Sequence, residues 1–202
     1  MSRILFDKLP SAVTVAGAEL PVNTDFRCMA RFENELLKDN GRDKKKRAEI
    51  FKTAMISFYE GNIPNDLDAA IKAMWWFYRC GEPVTSSKNR AGATRRNVRL
   101  YDYEIDGQRI ASAFRAQYGI DLTSCELHWW LFRGYFADLG DNCEFVKIMS
   151  YRGINLNDIS NKKERERYRK LKEFYALPTE KAIPMTKEER DEAYRKRLLG
   201  RI

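Results

Sequence analysis

The sequence predicts a mainly α-helical protein, a multi-helix bundle with a short N-terminal β-hairpin. Two observations favour this class. Apolar residues recur at intervals of three and four in several separate segments, which is the spacing of one face of a helix. Capping residues precede most of these segments, and Gly or Pro follows them, as is typical of helix ends.

The most apolar of these segments, residues 121–139, is expected to form the centre of the fold. Its large side chains cover more than the roughly 100° face of a half-exposed helix. We therefore expect a helix enclosed by other helices or by another subunit, with Thr123 or Ser124 as its N-cap. The large side chains are Leu127, Trp129, Trp130, Leu131, Phe132, Tyr135, Phe136 and Leu139.

The segments before this helix predict a hairpin and three helices. The hairpin pairs 12–15 with 19–22 across Gly17, and Pro21 restricts the second strand to an edge. The first helix runs from Thr24 or Asp25 to Asn40-Gly41. Asp43 opens the second helix, and the basic run 44–47 forms its solvated first turn. The third helix runs from Asn65 or Asp66 to Gly81. The third carries an apolar stripe of Leu67, Ala70, Ile71, Met74, Trp75 and Tyr78.

The second half of the chain predicts further helices. The first of these helices ends before Gly119, and the apolar segment 121–139, which we call the aromatic helix, follows it. A short helix from Asp141 or Asn142 to Gly153, a helix over 157–175 and a helix over 187–199 opened by a Thr186–Glu189 capping box come next. We accordingly divide the chain into an N-terminal hairpin and helical half (1–82), a basic flexible linker (83–98), a C-terminal helical half (99–178) and a basic helical tail (179–202).

The net charge of +8 is unevenly distributed along the chain. Residues 161–202 hold fourteen Lys or Arg against eight Asp or Glu, and residues 82–99 hold five against one. Basic segments of this kind permit binding to nucleic acid. The acidic residues interleaved in the tail weaken that interpretation, and no recognition-helix signature accompanies it. A basic DNA-binding or packaging accessory protein is therefore the alternative function.

Composition argues against a secreted or membrane-spanning protein. Met1–Pro10 has neither a basic start nor an apolar run, so no signal peptide is expected, and no segment is apolar enough to span a bilayer. Cys28, Cys80, Cys125 and Cys143 form no CxxC pair, so we expect reduced thiols and no zinc site.

Four patterns of residues could indicate a catalytic or binding site, and each also has a structural interpretation. His128 lies among aromatic residues without a nucleophile motif, which favours a packed histidine with one hydrogen-bond partner. Asp102, Glu104 and Asp106 lack the Gly and Glu spacing of a calcium loop and are interpreted as helix-start charge. Gly107, Gly119 and Gly134 form no phosphate-binding pattern, and Thr24-Asp25-Phe26-Arg27 is interpreted as a cap with a helical charge pair. We predict no catalytic, cofactor-binding or metal-binding residue, and no enzyme activity.

Four motifs in order resemble a family of small phage proteins encoded between the major tail protein and the tape measure protein in siphophages and prophages of Gram-positive hosts. They are LPSAVTVAGAELPVNTDFRCMARFE, DLDAAIKAMWWFYRCGE, YDYEIDGQRIASAFRAQYGIDL followed by 126–130, and ERERYRKLKEFYALP. The resemblance extends to Pro178 and does not include the basic tail.

The family that these motifs resemble is interpreted as tail assembly chaperones. The resemblance implies a mostly α-helical homo-oligomer that acts in the host cytoplasm and is absent from the mature virion. It implies the tape measure protein as client, with the major tail protein as a further candidate partner, no cofactor and no membrane. The tryptophans fit this function, because Trp75, Trp76, Trp129 and Trp130 could line an apolar groove for a client helix as well as fill the core.

Overall fold

The structure is a computed structural model that describes residues 6–39, 41, 43–83 and 98–178. Within this part, a two-stranded hairpin precedes seven α-helices and one short 3-10 helix. The elements are β1 Ala12–Val15, β2 Ala18–Pro21, α1 Phe26–Lys38, α2 Lys44–Phe58, α3 Leu67–Tyr78, α4 Gly107–Tyr118, α5 Trp129–Ala137, α6 Glu144–Gly153, the 3-10 helix Leu156–Asp158 and α7 Lys162–Phe174. The predicted mainly α class with an N-terminal β-hairpin is confirmed.

The predicted hairpin is present, with its second strand one residue earlier than the predicted 19–22. β1 and β2 pair antiparallel, from Ala12 opposite Pro21 to Val15 opposite Ala18. Ala16 and Gly17 both have positive φ, 48° and 85°, which is the conformation of the tight turns whose twist matches a hairpin. Pro21 pairs at the outer end of its strand, where its missing N–H costs no ladder hydrogen bond.

The first three helices begin at predicted caps. Asp25 accepts a hydrogen bond from the Arg27 N–H, Asp43 accepts from two N–H groups of α2, and Asp66 accepts from the Ala69 N–H. Each carboxylate satisfies amides that a helix start leaves unpaired. The basic run after Asp43 is exposed, which confirms its interpretation as a solvated first turn.

The buried face of α3 differs from the predicted stripe. Leu67 is exposed, whereas Phe77 is completely buried. The sequence of α3 ends in four consecutive aromatic residues, so its apolar period does not select one face. Packing selects it instead, because the Phe77 ring lies 5.1 Å from Phe58 and 6.0 Å from Trp130.

The aromatic helix is shorter than predicted, and Thr123 and Ser124 do not cap it. α5 begins at Trp129, with His128 as its N-cap. The preceding backbone is extended because it pairs with the chain that enters α1. The Phe26 N–H donates to the Leu127 carbonyl over 2.9 Å, and the Trp129 N–H donates to the Thr24 carbonyl over 2.8 Å.

Among the later helices, the end of α4 agrees with the prediction, and the starts of α6 and α7 are shifted from it. α4 ends at Gly119, whose φ of 69° is the left-handed helix stop that the sequence predicts. α6 is capped at Cys143 rather than at 141 or 142, and α7 is capped by Asn161 rather than beginning at Asn157. The Asn161 side chain accepts from two amides of α7, whereas the residues before it form the separate 3-10 helix.

The predicted tail 179–202, including its Thr186–Glu189 capping box, lies outside the described residues, and so does most of the predicted linker 83–98. The division of the chain into two halves stays a prediction. Residues from both sides of the linker belong to one hydrophobic cluster. A stack of rings lies at its centre, with Phe132 4.6 Å from Phe26 and 5.1 Å from Phe114.

Candidate functional site

A buried glutamate connects four segments of the fold. Glu33 of α1 is only 5% exposed. Its Oε1 accepts hydrogen bonds from the hydroxyls of Tyr78 and Tyr101, each over 3.0 Å, and from Arg133 Nη1 over 2.9 Å. Its Oε2 accepts from the Tyr103 hydroxyl over 2.9 Å. We call these five residues the Glu33 cluster.

Burial and the Glu33 carboxylate fix the protonation states of the three tyrosines and of Arg133. Burial and then the Glu33 charge raise the pKa of Tyr78 and Tyr101 well above the ordinary tyrosine value, and Tyr103 shifts in the same direction. Burial alone lowers the pKa of Arg133, but Glu33 and the tyrosines more than offset this, so the pKa is raised. All three phenols therefore stay neutral donors and Arg133 stays a cation.

The geometry of the Glu33 cluster is that of a structural junction. Three donors reach Oε1 and one reaches Oε2, so the carboxylate accepts four hydrogen bonds from within the fold. The Arg133 guanidinium also lies over the rings of Tyr78 and Trp129, 5.9 and 5.6 Å from their centroids, which is within cation–π range. The cluster thus holds α1, α3, α5 and the segment before α4 together.

A second buried ion pair lies at the start of α4. Arg152 Nη1 and Nη2 donate to the two oxygens of Asp106 over 2.6 and 3.0 Å. The same guanidinium donates to the carbonyls of Leu100 and Tyr175 over 2.9 and 2.7 Å. Arg152 therefore connects α6 to the segment before α4 and to the end of α7.

The interpretation of Asp102, Glu104 and Asp106 as helix-start charge is wrong for the two aspartates. Both are completely buried. Asp102 pairs with Arg99 and accepts from the N–H groups of Glu104 and Ile105, which forms a tight turn before α4 begins. Both carboxylates are structural acceptors. The partners of Asp102 lie within three residues of it, whereas Asp106 pairs with Arg152 of α6, which local charge patterns do not reveal.

The sequence pattern places Glu33 and Arg152 at core positions of their helices. Glu33 falls on the apolar stripe of α1, four residues after Met29 and three before Leu36. Arg152 falls four residues after Ile148, on the buried side of α6. A charged residue at a core position of a helix indicates a buried pair, but its partner cannot be read from the pattern.

His128 is a helix cap. Its Nδ1 accepts from the Trp130 N–H over 3.1 Å, so its Nε2, 3.0 Å from the Pro10 carbonyl, carries the ring proton. Burial lowers the pKa of His128, which favours this neutral form. The prediction of a packed histidine is confirmed, with two hydrogen-bond partners rather than one.

The Thr24–Arg27 motif is a cap with a charge pair, as predicted, and it has a further role. Arg27 Nη1 lies 2.9 Å from Asp25 Oδ2. Its guanidinium also donates to the Leu122 carbonyl over 2.7 Å and to the Cys125 carbonyl over 3.2 Å. Arg27 therefore holds the turn that leads into α5, across 95 residues of sequence.

The four tryptophans do not line one groove. Trp129 and Trp130 are buried, and their indole N–H groups donate to the carbonyls of Tyr78 and Phe77. Trp75 is half-buried, and Trp76 is 39% exposed. The Trp76 ring packs edge-on against Trp130 at 5.5 Å, beside Gly81. We call Trp76, Trp130 and Gly81 the indole patch.

The sequence also supports predictions about its cysteines, possible metal ligands and possible membrane-spanning helices. All four cysteines are free, and burial raises the pKa of the Cys80 thiol to about 11. Across 6–39, 41, 43–83 and 98–178, no three His, Cys, Asp or Glu side chains converge as a metal site requires. No helix in the described part of the chain combines the length and apolar content needed to cross a membrane.

Comparison with known proteins identifies the family of the chain. The model of the family described as bacteriophage Gp15 protein matches residues 5–177. The chain therefore belongs to the bacteriophage Gp15 protein family and is a bacteriophage protein. The match ends one residue before Pro178, where the resemblance seen in the motifs also ends. No curated protein and no solved structure matches the chain.

Proposed function

We propose that this phage protein is a non-enzymatic tail assembly chaperone that self-associates, binds the tape measure protein and assists assembly of the tail tube. Membership of a bacteriophage family and the order of the resembling motifs support this function. The chaperone acts in the host cytoplasm and is absent from the mature virion. Immunoblots of purified virions test the last point, and a signal at the level of a structural protein would contradict it.

The indole patch is the observation that carries the proposal. Trp76 keeps 39% of its surface exposed and packs on the buried Trp130, whose indole N–H donates to the Phe77 carbonyl over 2.8 Å. Trp side chains are among the typical anchors of protein interfaces. An amphipathic helix of a client can place an apolar side chain against such an anchor.

The state of the buried polar groups supports a function without catalysis. Glu33 and Asp106 are each occupied by several donors, and His128 uses both ring nitrogens. A general base needs a free lone pair within reach of a substrate. These three groups instead stabilise the helical body that presents the indole patch.

Co-expression with the tape measure protein of the same phage tests the proposal. We expect a co-purifying complex and a larger soluble fraction of the tape measure protein. Trp76→Ser should reduce both, because it removes the exposed anchor. Ile56→Ser is the matched control, since Ile56 is also exposed but belongs to α2. Equal yields of complex with wild type, Trp76→Ser and Ile56→Ser would contradict a role for the indole patch.

A basic DNA-binding or packaging accessory protein remains the second candidate, and α7 is the observation that favours it. α7 carries seven Lys or Arg against three Glu and has no buried residue. Binding through these cations should weaken steeply with salt, because counterions are released from phosphates. A gel-shift titration that shows no binding at low salt would remove this candidate.

A further inference from the structure

α7 is attached to the body through one side. Its Tyr168 ring lies 6.2 Å from Tyr151 of α6, and its Lys172 Nζ donates to the Ile154 carbonyl over 2.6 Å. Just beyond α7, the Tyr175 carbonyl accepts from Arg152. Tyr168, Lys172 and Tyr175 are spaced by four and three residues, so they share one face of the helix, the inner side. The opposite face, the outer side, points away from the body.

The outer side carries a row of cations. Lys163, Arg167 and Lys170 are spaced by four and three residues, which places them on one face of the helix. All three are exposed, and no carboxylate in the described part of the chain pairs with them. Phe174 extends the same face by another four residues and is 79% exposed. We call these four residues the cationic stripe.

The other arginines of α7 show that the stripe is distinct. Arg165 donates to the carbonyls of Ile159 and Ser160, and Arg169 pairs with Glu166. Like charges four residues apart on a helix repel each other and destabilise it. An acidic ligand would remove that repulsion at Lys163 and Arg167. Glu166 and Glu173 flank the stripe and confine its positive charge to a short length of helix, which suits a short acidic segment better than a continuous phosphate backbone.

The chain itself contains a segment of matching charge. Residues 188–192 read EERDE, with four acidic residues in five. They belong to the part of the chain beyond the described residues, and nine residues separate them from Pro178. Such a spacer reaches about 33 Å when extended, whereas the cationic stripe is about 17 Å long. A short tether also gives the segment an effective concentration on the order of millimolar.

We propose that the acidic segment 188–192 docks on the cationic stripe of α7 in the same chain. The contact covers charges that the folded body leaves unpaired. It is an ion-pair contact at the surface, so it weakens as salt screens the charges. The proposal does not depend on the chaperone function.

Zero-length cross-linking of the full-length protein tests the contact. A carbodiimide joins a lysine amine to a carboxylate only when the two groups touch. We expect cross-links from Lys163 and Lys170 to acidic residues of 188–192, and their loss when salt is raised from about 0.02 M to about 0.5 M. Mixing heavy-isotope and normal protein before the reaction separates links within one chain from links between copies.

Charge reversal provides the specific test. A variant with Lys163→Glu, Arg167→Glu and Lys170→Glu should lose the contact, detected by hydrogen exchange along α7. Adding Glu188→Lys, Glu189→Lys, Asp191→Lys and Glu192→Lys should restore it, with the linked residue types exchanged. Lys44→Glu, Lys45→Glu and Lys52→Glu together form the control, because these lysines are exposed on α2.

Three outcomes would overturn the proposal. The first is an absence of cross-links between 188–192 and the stripe while the segment links to other lysines or to none. The second is links only between heavy and normal copies, which would identify a second copy as the occupant. The third is that the combined reversal fails to restore the contact, while a labelled oligonucleotide binds the wild type but not the stripe variant. This result would identify nucleic acid as the ligand.

Discussion

Arg152 donates two hydrogen bonds to Asp106, over 2.6 and 3.0 Å, in an ion pair that is almost completely shielded from water. Removing one member of such a pair leaves the other charge buried without compensation, which costs about 3–5 kcal/mol. We therefore expect Arg152→Met to lower the free energy of unfolding by that amount in urea titrations.

The control for Arg152→Met is the combined variant Arg152→Met with Asp106→Leu. Replacing both charges by apolar groups avoids the buried lone charge, so the combined variant should be more stable than Arg152→Met alone. The carbonyls of Leu100 and Tyr175 still lose a donor, and full recovery is not expected. A loss below about 1 kcal/mol for Arg152→Met would show that the pair is not buried as described.

Glu33→Gln tests the Glu33 cluster. Gln keeps the shape of the side chain but removes the charge that Arg133 and three tyrosines share, and hydrogen bonds to charged groups contribute about 1.5–3 kcal/mol. We expect a loss of about 2–3 kcal/mol in the free energy of unfolding. Glu35→Gln, at a half-buried position of the same helix where the carboxylate pairs with Lys38, should change it by less than about 1 kcal/mol. Equal effects at the two positions would contradict the role of Glu33.

His128 makes stability depend on pH in a defined window. Burial lowers its pKa in the folded protein below the ordinary value near 6.5, so protonation favours the unfolded chain. The stabilising contribution is complete above pH 6.5 and is lost as the pH falls through the folded-state pKa. Because His128 is the single histidine of the chain, His128→Asn, which retains a capping side chain, should flatten the dependence of unfolding free energy on pH just below 6.5. A slope unchanged in His128→Asn would assign it to carboxylates instead.

The end of α2 predicts a stabilising substitution. Glu60 has a φ of 51°, and the Gly61 N–H donates to the Ile56 carbonyl over 2.9 Å, so α2 ends in a turn that favours glycine at position 60. We expect Glu60→Gly to raise the free energy of unfolding by about 0.5–1 kcal/mol in urea titrations. Glu49→Gly, within α2, should instead cost about 1 kcal/mol. A loss in both variants would contradict the strain at Glu60.

Local chemistry could be predicted from the sequence, and long-range pairing could not. Asp25, Asp43, Asp66 and Gly119 were identifiable as caps because a cap depends on the few residues next to it. The hydrogen bond from Arg133 to Glu33 spans 100 residues of sequence, and no local pattern specifies such a partner.

The error at the start of α5 has the same physical origin. Thr123 and Ser124 are good capping residues before an apolar run, and local propensity favours a helix there. Pairing of the adjacent backbone with Thr24 and Phe26 keeps it extended until His128. Contacts with α1 thus outweigh local propensity, which is a weak determinant on its own.

Chaperone action can be measured directly with purified components. The tape measure protein of the same phage is diluted from denaturant into buffer with or without this protein, and light scattering is followed over time. The proposed function predicts that scattering is suppressed near equimolar protein, and less so by Trp76→Ser than by Ile56→Ser. Scattering as strong as with an unrelated protein of similar net charge would contradict it.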